Sequence, residues 1–294
     1  MFGKKVAYYL FLGFIGFMKI VPFWLMYMVA DGIYFLMYHV ISYRKSVINK
    51  NLEKCFPEKS KKEKQIIRKK FYKNLSDLLI ESFKGYSMNQ EQMLKRFKAY
   101  NEHVADKYFE QGKDVIVLAG HFANWEWGAA ATAKSFKHQP AVLYKPISNP
   151  YIDQFIREKR ARFGVDLVPI TQTARYFIKK KEKPVSYYMV ADQYPTNKEK
   201  QKFANFFGTE TAFLHGPENY AKQLNIPVVY IEMKRVKRGY YSMELFDVTD
   251  NPKELPDNEL TQSYARLLEK SIQNQPEDWM WSHKRWKKEL YAFG

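Results

Sequence analysis

The chain has 294 residues, a formal net charge of +17 and an aromatic share of 17%. This length allows one large α/β domain with an appended segment. The charge indicates a partner that is a polyanion, an anionic lipid surface or an acidic protein, and nucleic acid is one candidate. A single cysteine, Cys55, excludes an intramolecular disulfide and a cysteine-based zinc cluster, and we expect it to be a small buried apolar residue.

Two apolar segments begin the chain, at residues 6–18 and 20–42. A membrane span takes about 20 apolar residues, so the first segment is short, while the second is long enough but contains Asp31 and His39. Basic residues flank both segments, which leaves their orientation open, and tyrosine and tryptophan are frequent, as at membrane interfaces. These features predict a membrane anchor that crosses the bilayer or lies in its interface. A buried helical pair of a soluble fold is the alternative.

The composition changes from apolar to charged near residue 45. We therefore predict two parts, an anchor at residues 1–45 and a second domain at residues 46–294. Early in the second domain, apolar residues recur at helical spacing from Ile67 to Leu79, with lysines on the opposite face. This pattern predicts an amphipathic helix that ends at Gly85.

Short β-rich runs then alternate with helical segments along the rest of the chain. Strand, helix and strand at this spacing are typical of βαβ units around a parallel sheet, and the last two runs predict antiparallel additions. The predicted fold class is α/β, with a mixed, largely parallel sheet flanked by helices after the apolar N-terminus. The predicted strands are DVIVLAG, AVLYKP, VSYYMVADQ, IPVVYIEMKR and YYSMELFDV.

The first of these strands is followed at once by His121, and Glu126 comes five positions later. Open α/β sheets hold their ligands at the carboxyl ends of the strands. Asn124 is a good helix N-cap, which puts Glu126 in the first turn of the next helix. A carboxylate bonded to one imidazole nitrogen raises the basicity of the other, so the pair predicts a general base for a hydroxyl or an amine. The alternative is structural, with Glu126 complementing the helix dipole.

Five ordered blocks of the sequence resemble those of the bacterial lipid A biosynthesis acyltransferases, the late lauroyl and myristoyl transferases within the broader lysophospholipid acyltransferase-like group. The resemblance covers the chain from its apolar N-terminus to its last few residues. It implies an enzyme of the inner membrane whose catalytic domain faces the cytoplasm. The blocks are LAGHFANWEWG, LYKPISNPYIDQFIREKRARFG, VADQYPTN, ANFFGTETAFLHGPENYAKQLNIPVV and WMWSHKRWK.

The resemblance also implies a reaction and roles for individual residues. A fatty acyl chain moves from an acyl carrier protein thioester to a hydroxyl of a lipid A precursor, without a cofactor. His121 and Glu126 match the catalytic pair of the family's HX4E motif, and Arg160 matches an arginine needed for activity. Asp192 matches the aspartate of an acidic block, in which Tyr194 stands where a second acid is common.

Basic residues after the second predicted strand are candidates for binding phosphate. Lys145, Arg157, Arg160 and Arg162 lie on or beside a predicted helix. Cations of this kind suit the phosphate of a phosphopantetheine arm or of a lipid acceptor. A solvated helix face is the alternative for them.

Three further residues are candidates for binding substrate. Gln193 is the last residue of the third predicted strand, and Thr211 and Gly216 stand where a loop is expected to meet a helix N-terminus. Such a junction suits an anion or the oxyanion of a tetrahedral intermediate, with ordinary capping as the alternative. Near the C-terminus, tryptophans and basic residues in WMWSHKRWKK suit lipid headgroups, with packing under the sheet as the rival.

The absence of other motifs restricts the mechanism. The sequence contains no G-x-S-x-G, H-E-x-x-H, Walker A or Rossmann glycine pattern, and Cys55 is distant in sequence from His121. Direct transfer without an acyl-enzyme is therefore the simpler path, with His121 deprotonating the acceptor and no metal required. The alternatives are another lysolipid or aminolipid acceptor, a non-enzymatic basic membrane scaffold, and a nucleic-acid-binding protein, which the apolar N-terminus disfavours.

Overall fold

The computed structural model describes residues 2–290, in which helices and strands alternate. The helices are α1 (Phe2–Ile20), α2 (Phe23–Phe35), α3 (Lys45–Cys55), α4 (Lys61–Gly85), α5 (Gln90–Arg96), α6 (His103–Glu110), α7 (Trp125–Ser135), α8 (Pro150–Ala161), α9 (Thr173–Ile178), α10 (Gly216–Leu224), α11 (Glu259–Asn274) and α12 (Lys287–Leu290). The strands are β1 (Phe97–Tyr100), β2 (Val115–Ala119), β3 (Gln139–Tyr144), β4 (Asp166–Pro169), β5 (Val185–Val190), β6 (Gln201–Phe206), β7 (Thr209–Leu214), β8 (Val228–Lys237) and β9 (Tyr240–Thr249).

The main sheet confirms the predicted fold class. Within the described residues, seven strands pair in the order β1-β9-β8-β2-β5-β3-β4. The strands from β8 to β4 run parallel, whereas β9 is antiparallel to β8 and β1 is parallel to β9. β2 lies near the middle, and all five of its residues are buried, as its unbroken apolar sequence predicts. Its carboxyl end therefore opens at the edge where parallel sheets hold ligands.

Helix α4 confirms the amphipathic prediction and forms one side of the core. Its first turn is closed by Ser60 and Glu63, whose side chains bond each other's backbone N–H groups in a capping box. Ile67, Phe71 and Leu75 are among its buried apolar residues. The helix thus has a defined start and an apolar stripe against the sheet.

The N-terminal helices α1 and α2 expose many large apolar side chains. A π-helical turn at Leu36–Val40 extends α2, and the segment Phe23–Val40 is, among the described residues, the helix long and apolar enough to cross a membrane. Phe2 is 83% exposed, Ile20 78% and Trp24 65%. A contiguous apolar surface of this kind is typical of a membrane or protein contact.

The other side of α2 is fastened to α4 and to the β8–β9 hairpin. Tyr27 donates its hydroxyl to Glu81 at 2.7 Å. Arg238, in the hairpin turn, donates to Asp31 at 2.7 Å and to Asp77 on α4 at 2.6 Å. One side of α2 is therefore joined by polar contacts to α4 and to the β8–β9 hairpin.

The connection between α1 and α2 is held by Lys84 near the end of α4. Its ammonium group donates to the backbone oxygens of Met18 and Val21, at 2.7 Å each. α1 also packs against α8, where the rings of Phe11 and Phe155 meet edge to face. Both contacts tie the apolar N-terminal segment to α4 and α8.

We propose that residues 1–45 are the anchor and residues 46–294 the catalytic domain, but we expect the second to depend on the first for stability. A chain that starts at residue 46 lacks the hydroxyl of Tyr27 that donates to the buried Glu81 and the carboxylate of Asp31 that pairs with Arg238. We expect its unfolding temperature to be lower by about 5 °C, because leaving a buried hydrogen-bonding group without its partner costs about 1–3 kcal/mol and 1 kcal/mol shifts the midpoint by roughly 2–4 °C at this size. Thermal unfolding of both chains in one detergent measures this; equal midpoints would show an independent domain.

Candidate active site

The ends of β2 and β5 bring a histidine and an aspartate together. The two strands are parallel neighbours, and Ala119 pairs with Val190, the last residue of each strand. His121 and Asp192 follow these residues at the same interval of two, so they face each other across the strand ends. Asp192 is buried, whereas the side chain of His121 is 22% exposed. One side of the imidazole thus contacts Asp192, and another side is open to solvent.

Asp192 accepts hydrogen bonds from three donors around it. Its Oδ1 lies 2.6 Å from Nδ1 of His121, and its Oδ2 accepts from the backbone N–H of His121 at 2.8 Å and from Nε1 of Trp279 at 2.9 Å. A carboxylate with these contacts is an acceptor, so Nδ1 carries the hydrogen and Nε2 has a free lone pair. A Cβ at Gly120 would lie 2.7 Å from Cδ1 of Leu268, so glycine lets α11 pack closely against the end of β2.

The charges of the site change the pKa values of His121 and Asp192. Burial lowers the pKa of His121, but Asp192 and the charge of Glu126 raise it by more, so the net pKa is above the usual value. Burial raises the pKa of Asp192, but the charge and the hydrogen bonds of His121 lower it by more, to about 2. Asp192 is therefore ionised at neutral pH, and His121 is a stronger base than free histidine.

Residues 120–124, here called the His121 turn, are clamped on several sides. Phe122 forms an isolated antiparallel bridge with Trp279, and Ala123 donates its N–H to the backbone oxygen of Asp278 at 2.9 Å. Ala123 has a φ of 50°, a left-handed conformation that is uncommon for residues other than glycine. Asn124 caps α7 as predicted, accepting from the N–H of Trp127 at 3.0 Å. These contacts fix where the imidazole points.

Glu126 does not make the hydrogen bond to His121 that the sequence predicts. Within the described residues, the carboxylate bonded to His121 is that of Asp192, and Glu126 instead forms an ion pair with Arg160 of α8. This part of the prediction is wrong because the first turn of α7 directs Glu126 towards α8. Both side chains are about a quarter exposed, at 27% for Glu126 and 23% for Arg160. The pair lies close enough for the charge of Glu126 to raise the pKa of His121.

The loop after Asp192 lies over the histidine. Gln193 has its Nε2 at 3.4 Å from Nε2 of His121, the nitrogen with the free lone pair. The next residue, Tyr194, donates its N–H to Nε2 of His283 at 3.0 Å. Burial lowers the pKa of His283 to about 4, so His283 is neutral and can accept this bond. The ring of Trp125 meets that of His121 edge to face, with centroids 5.2 Å apart.

The remaining basic candidates are all exposed and differ in what they contact. Lys145 and Arg157 are exposed, on the chain that leaves β3 and on α8. Arg162 instead donates to the backbone oxygens of Gly85 at 2.9 Å and of Met88 at 2.5 Å, so it fastens the end of α4. Arg162 is therefore a structural residue, and Lys145 and Arg157 are available to an anion.

Thr211 does not lie at a loop–helix junction, as the sequence predicts. It is buried in β7, part of a hairpin with β6, and its hydroxyl donates to the backbone oxygen of Thr209 and accepts from Nε1 of Trp286, both at 2.9 Å. The prediction is wrong because the sequence pattern does not reveal this hairpin. Gly216 does begin α10, as expected.

A small cleft with a cavity volume of about 20 Å³ lies beside the His121 turn. It is lined on its apolar side by Leu75, Leu78, Trp125 and Met280. Among residues 2–290, no group of three or more histidine, cysteine, aspartate or glutamate residues is placed to hold a metal ion. The arrangement offers a base, an ion pair and an apolar cleft.

Comparison with known proteins identifies the family. The family model described as bacterial lipid A biosynthesis acyltransferase matches residues 3–288. The chain belongs to this family. It is 24% identical over 248 residues to the lipid A biosynthesis palmitoleoyltransferase of Escherichia coli K12, covering 83% of this chain and 79% of the relative. It is 24% identical over 272 residues to the lipid A biosynthesis lauroyltransferase of the same organism, covering 90% and 86%. A lipid A biosynthesis acyltransferase of Haemophilus influenzae is 25% identical over 251 residues, covering 83% and 78%.

The chain is therefore an acyltransferase, as the sequence predicts. Its C-terminal tryptophans, however, do not form a lipid-facing surface. Trp279, Trp281 and Trp286 are 2%, 0% and 3% exposed, which supports the alternative of packing. Arg285 between them is fully buried, stacks on the ring of Phe213 at 4.3 Å and donates to a backbone oxygen of β7. The segment thus holds β7 and Asp192 in place.

Proposed function

We propose that this acyltransferase is membrane-bound and moves a fatty acyl chain from an acyl carrier protein thioester to a hydroxyl of a lipid A precursor. The observation that carries the proposal is the hydrogen bond of 2.6 Å between Nδ1 of His121 and Asp192 at the carboxyl edge of the sheet. Membership of the lipid A acyltransferase family supports the acceptor class. Two features support an acyl carrier protein thioester as the donor: a thioester is already activated for acyl transfer, and a basic protein attracts an acidic carrier.

The proposed base is His121, and Asp192 is its positioning residue. Because Nδ1 donates to Asp192, the lone pair on Nε2 takes the proton of the acceptor hydroxyl. The acceptor oxygen attacks the thioester carbonyl carbon, an ester C–O bond forms, and the C–S bond of the thioester breaks. The proton held by His121 then passes to the departing thiolate. No redox step and no further reactant are needed.

Transfer is proposed to be direct, without an acyl-enzyme. The single cysteine of the chain, Cys55, is 5% exposed, which confirms that it is a buried residue. Burial raises the pKa of its thiol well above the ordinary value, so the reactive thiolate is disfavoured. A buried, protonated thiol is unsuited to attack a thioester.

Glu126 and Arg160 are proposed to serve the substrate side of the site. Their ion pair holds a guanidinium against Glu126, whose charge reaches the base, and this cation suits a phosphate or the developing oxyanion. Glu126 holds Arg160 in position, and its charge makes His121 a stronger base by raising the pKa of the imidazole. Lys145, being exposed beyond β3, and Gln193, beside Nε2 of His121, are proposed to contact the donor arm and the acceptor. Gly216 at the start of α10 remains a proposed anion contact.

The exposed apolar surface of α1 and α2 supports attachment to a membrane. We propose that the enzyme lies at the inner membrane with its catalytic domain in the cytoplasm, where an acyl carrier protein donor is accessible.

The test is a transfer assay followed by mass spectrometry, with a lipid A precursor as acceptor and either acyl carrier protein thioester or acyl-pantetheine as donor. We expect a product heavier by one acyl group. Because the protein is basic and acyl carrier proteins are acidic, kcat/KM for the carrier donor should fall about tenfold or more from low to high salt, and less for acyl-pantetheine.

Two lysine variants serve as a matched pair in this assay. Lys145→Ala should reduce the salt dependence with the carrier donor. Lys253→Ala should not, because β9 runs antiparallel and its end lies at the opposite edge of the sheet. Equal salt slopes for both donors would contradict the carrier donor, and acylation of a lysophospholipid in preference to the lipid A precursor would contradict the acceptor.

A further inference from the structure

Glu81, about one turn before the end of α4, is a buried carboxylate that the proposed mechanism does not use. It is fully buried, and its two oxygens accept hydrogen bonds from side chains on three other elements. Its Oε2 accepts from the side-chain amide of Asn124 at 2.7 Å and from the hydroxyl of Tyr241 on β9 at 2.6 Å. Its Oε1 accepts from the hydroxyl of Tyr27 on α2 at 2.7 Å. A buried acceptor with these partners fixes all of them together.

The contact with Asn124 determines the orientation of that side chain. Oδ1 of Asn124 accepts from the N–H of Trp127, so its Nδ2 must donate, and Glu81 is the acceptor. The backbone oxygen of Glu81 also accepts from Nε1 of Trp127 at 2.9 Å. Glu81 therefore holds both the last residue of the His121 turn and the first helical turn after it.

The contact with Tyr27 extends the same network to the N-terminal anchor. Tyr27 lies in the segment that is long and apolar enough to cross a membrane, and its ring packs under the guanidinium of Arg238 at 4.5 Å. A shift of α2 relative to α4 would move the hydroxyl that Glu81 binds. The carboxylate of Glu81 therefore links α2 to the His121 turn through hydrogen bonds to both.

We propose that Glu81 is a positioning residue for acyl transfer: through Asn124 it sets the His121 turn, and through Tyr27 it ties that turn to α2. This proposal rests on the proposed function, in which His121 is the base. Displacing a reacting group by about 1 Å costs up to about 100-fold in rate, so a small movement of this turn is enough for a large effect.

The test exchanges the donor and the acceptor of the hydrogen bond between Asn124 and Glu81. Asn124→Asp keeps the helix cap, because aspartate caps as well as asparagine, but places a second carboxylate against Glu81. In the double variant Asn124→Asp/Glu81→Gln, the new glutamine amide donates to the new aspartate and the bond is restored. We expect kcat to fall about 10- to 100-fold in Asn124→Asp, with KM changed less than about threefold, and to recover within about threefold of the wild type in the double variant.

Asn89→Asp is the matched control, because Asn89 caps α5 with its side chain and lies outside the site. It should keep wild-type kcat. His121→Ala is assayed in parallel: if it is inactive while the double variant stays as slow as Asn124→Asp, the positioning role of Glu81 is overturned. If His121→Ala is active, the proposed function itself has failed. Unfolding temperatures of all variants separate loss of rate from loss of fold.

Tyr27→Phe is a milder second test that does not depend on the folding of Asn124→Asp. It removes one hydrogen bond from Glu81, and we expect kcat in lipid vesicles to fall several-fold with KM unchanged. Tyr108→Phe is its control, because Tyr108 is also buried and its hydroxyl donates to a carboxylate, Asp247, at 2.9 Å. If the two variants have the same kcat, the link between α2 and the His121 turn is overturned.

Discussion

A His121→Ala protein is expected to transfer acyl chains about 10²- to 10⁴-fold more slowly than the wild type, because it lacks the general base. Its fold and its membrane attachment should not change, since the imidazole is partly exposed and the His121 turn keeps its backbone contacts to Asp278 and Met280. The measurement is kcat/KM with purified proteins in one detergent.

The control for this variant is His103→Ala, at an exposed histidine at the start of α6. It should retain full activity. A His121→Ala protein that keeps more than about a tenth of the wild-type rate would contradict the assignment of the base.

An Asp192→Asn protein is expected to lose activity by a similar factor, roughly 10²- to 10⁴-fold, through the tautomer of His121. Two N–H donors point at Oδ2 of Asp192, from the backbone of His121 and from Trp279. The oxygen of the asparagine must face these donors, so its NH₂ group faces Nδ1. The hydrogen of the imidazole then moves to Nε2, and the lone pair needed for catalysis is lost.

The same variant changes the pH dependence in a defined direction. In the wild type burial lowers the pKa of His121, but Asp192 and, to a lesser extent, Glu126 raise it by more, so the net pKa is raised. Protonated His121 is not a base, so kcat/KM rises as pH passes this raised pKa. Without the charge of Asp192 the pKa falls, and the rising limb of the residual activity should move to lower pH.

The pH profiles of kcat/KM for the wild type, Asp192→Asn and Asp247→Asn measure this shift. Asp247 lies on β9, away from the strand ends that carry the site, and its replacement should leave the profile in place. A limb that does not move in Asp192→Asn would show that another group controls the pH dependence.

The local elements around the site could be predicted from the sequence because their signals are local. The five buried apolar residues of β2 and the N-cap of α7 at Asn124 are where the sequence places them. A strand needs only its run of apolar residues, and a cap needs only a side chain that reaches the next turn. The position of His121 at a strand end follows from the same signals.

The β6–β7 hairpin lacks such a signal, which explains the error at Thr211. Its two-residue turn consists of Phe207 and Gly208, both with positive φ, at 50° and 72°. Turns of this type normally carry asparagine or aspartate before glycine. Phenylalanine is unusual there, and it is tolerated because its ring packs against those of Phe56 and Phe206.

The sequence by itself determined the α/β class, the apolar N-terminus, the family and the placement of His121 beyond β2. Only the tertiary structure decided which carboxylate binds that histidine. β2 and β5 are separated by 65 residues of chain between Ala119 and Val185, and the order of strands in the sheet makes them neighbours, with Ala119 opposite Val190. Asp192 therefore meets His121, while Glu126, much closer in sequence, follows the first turn of α7 to Arg160. A hydrogen bond depends on distance in space, and a parallel pairing between remote strands leaves no local pattern from which that distance could be read.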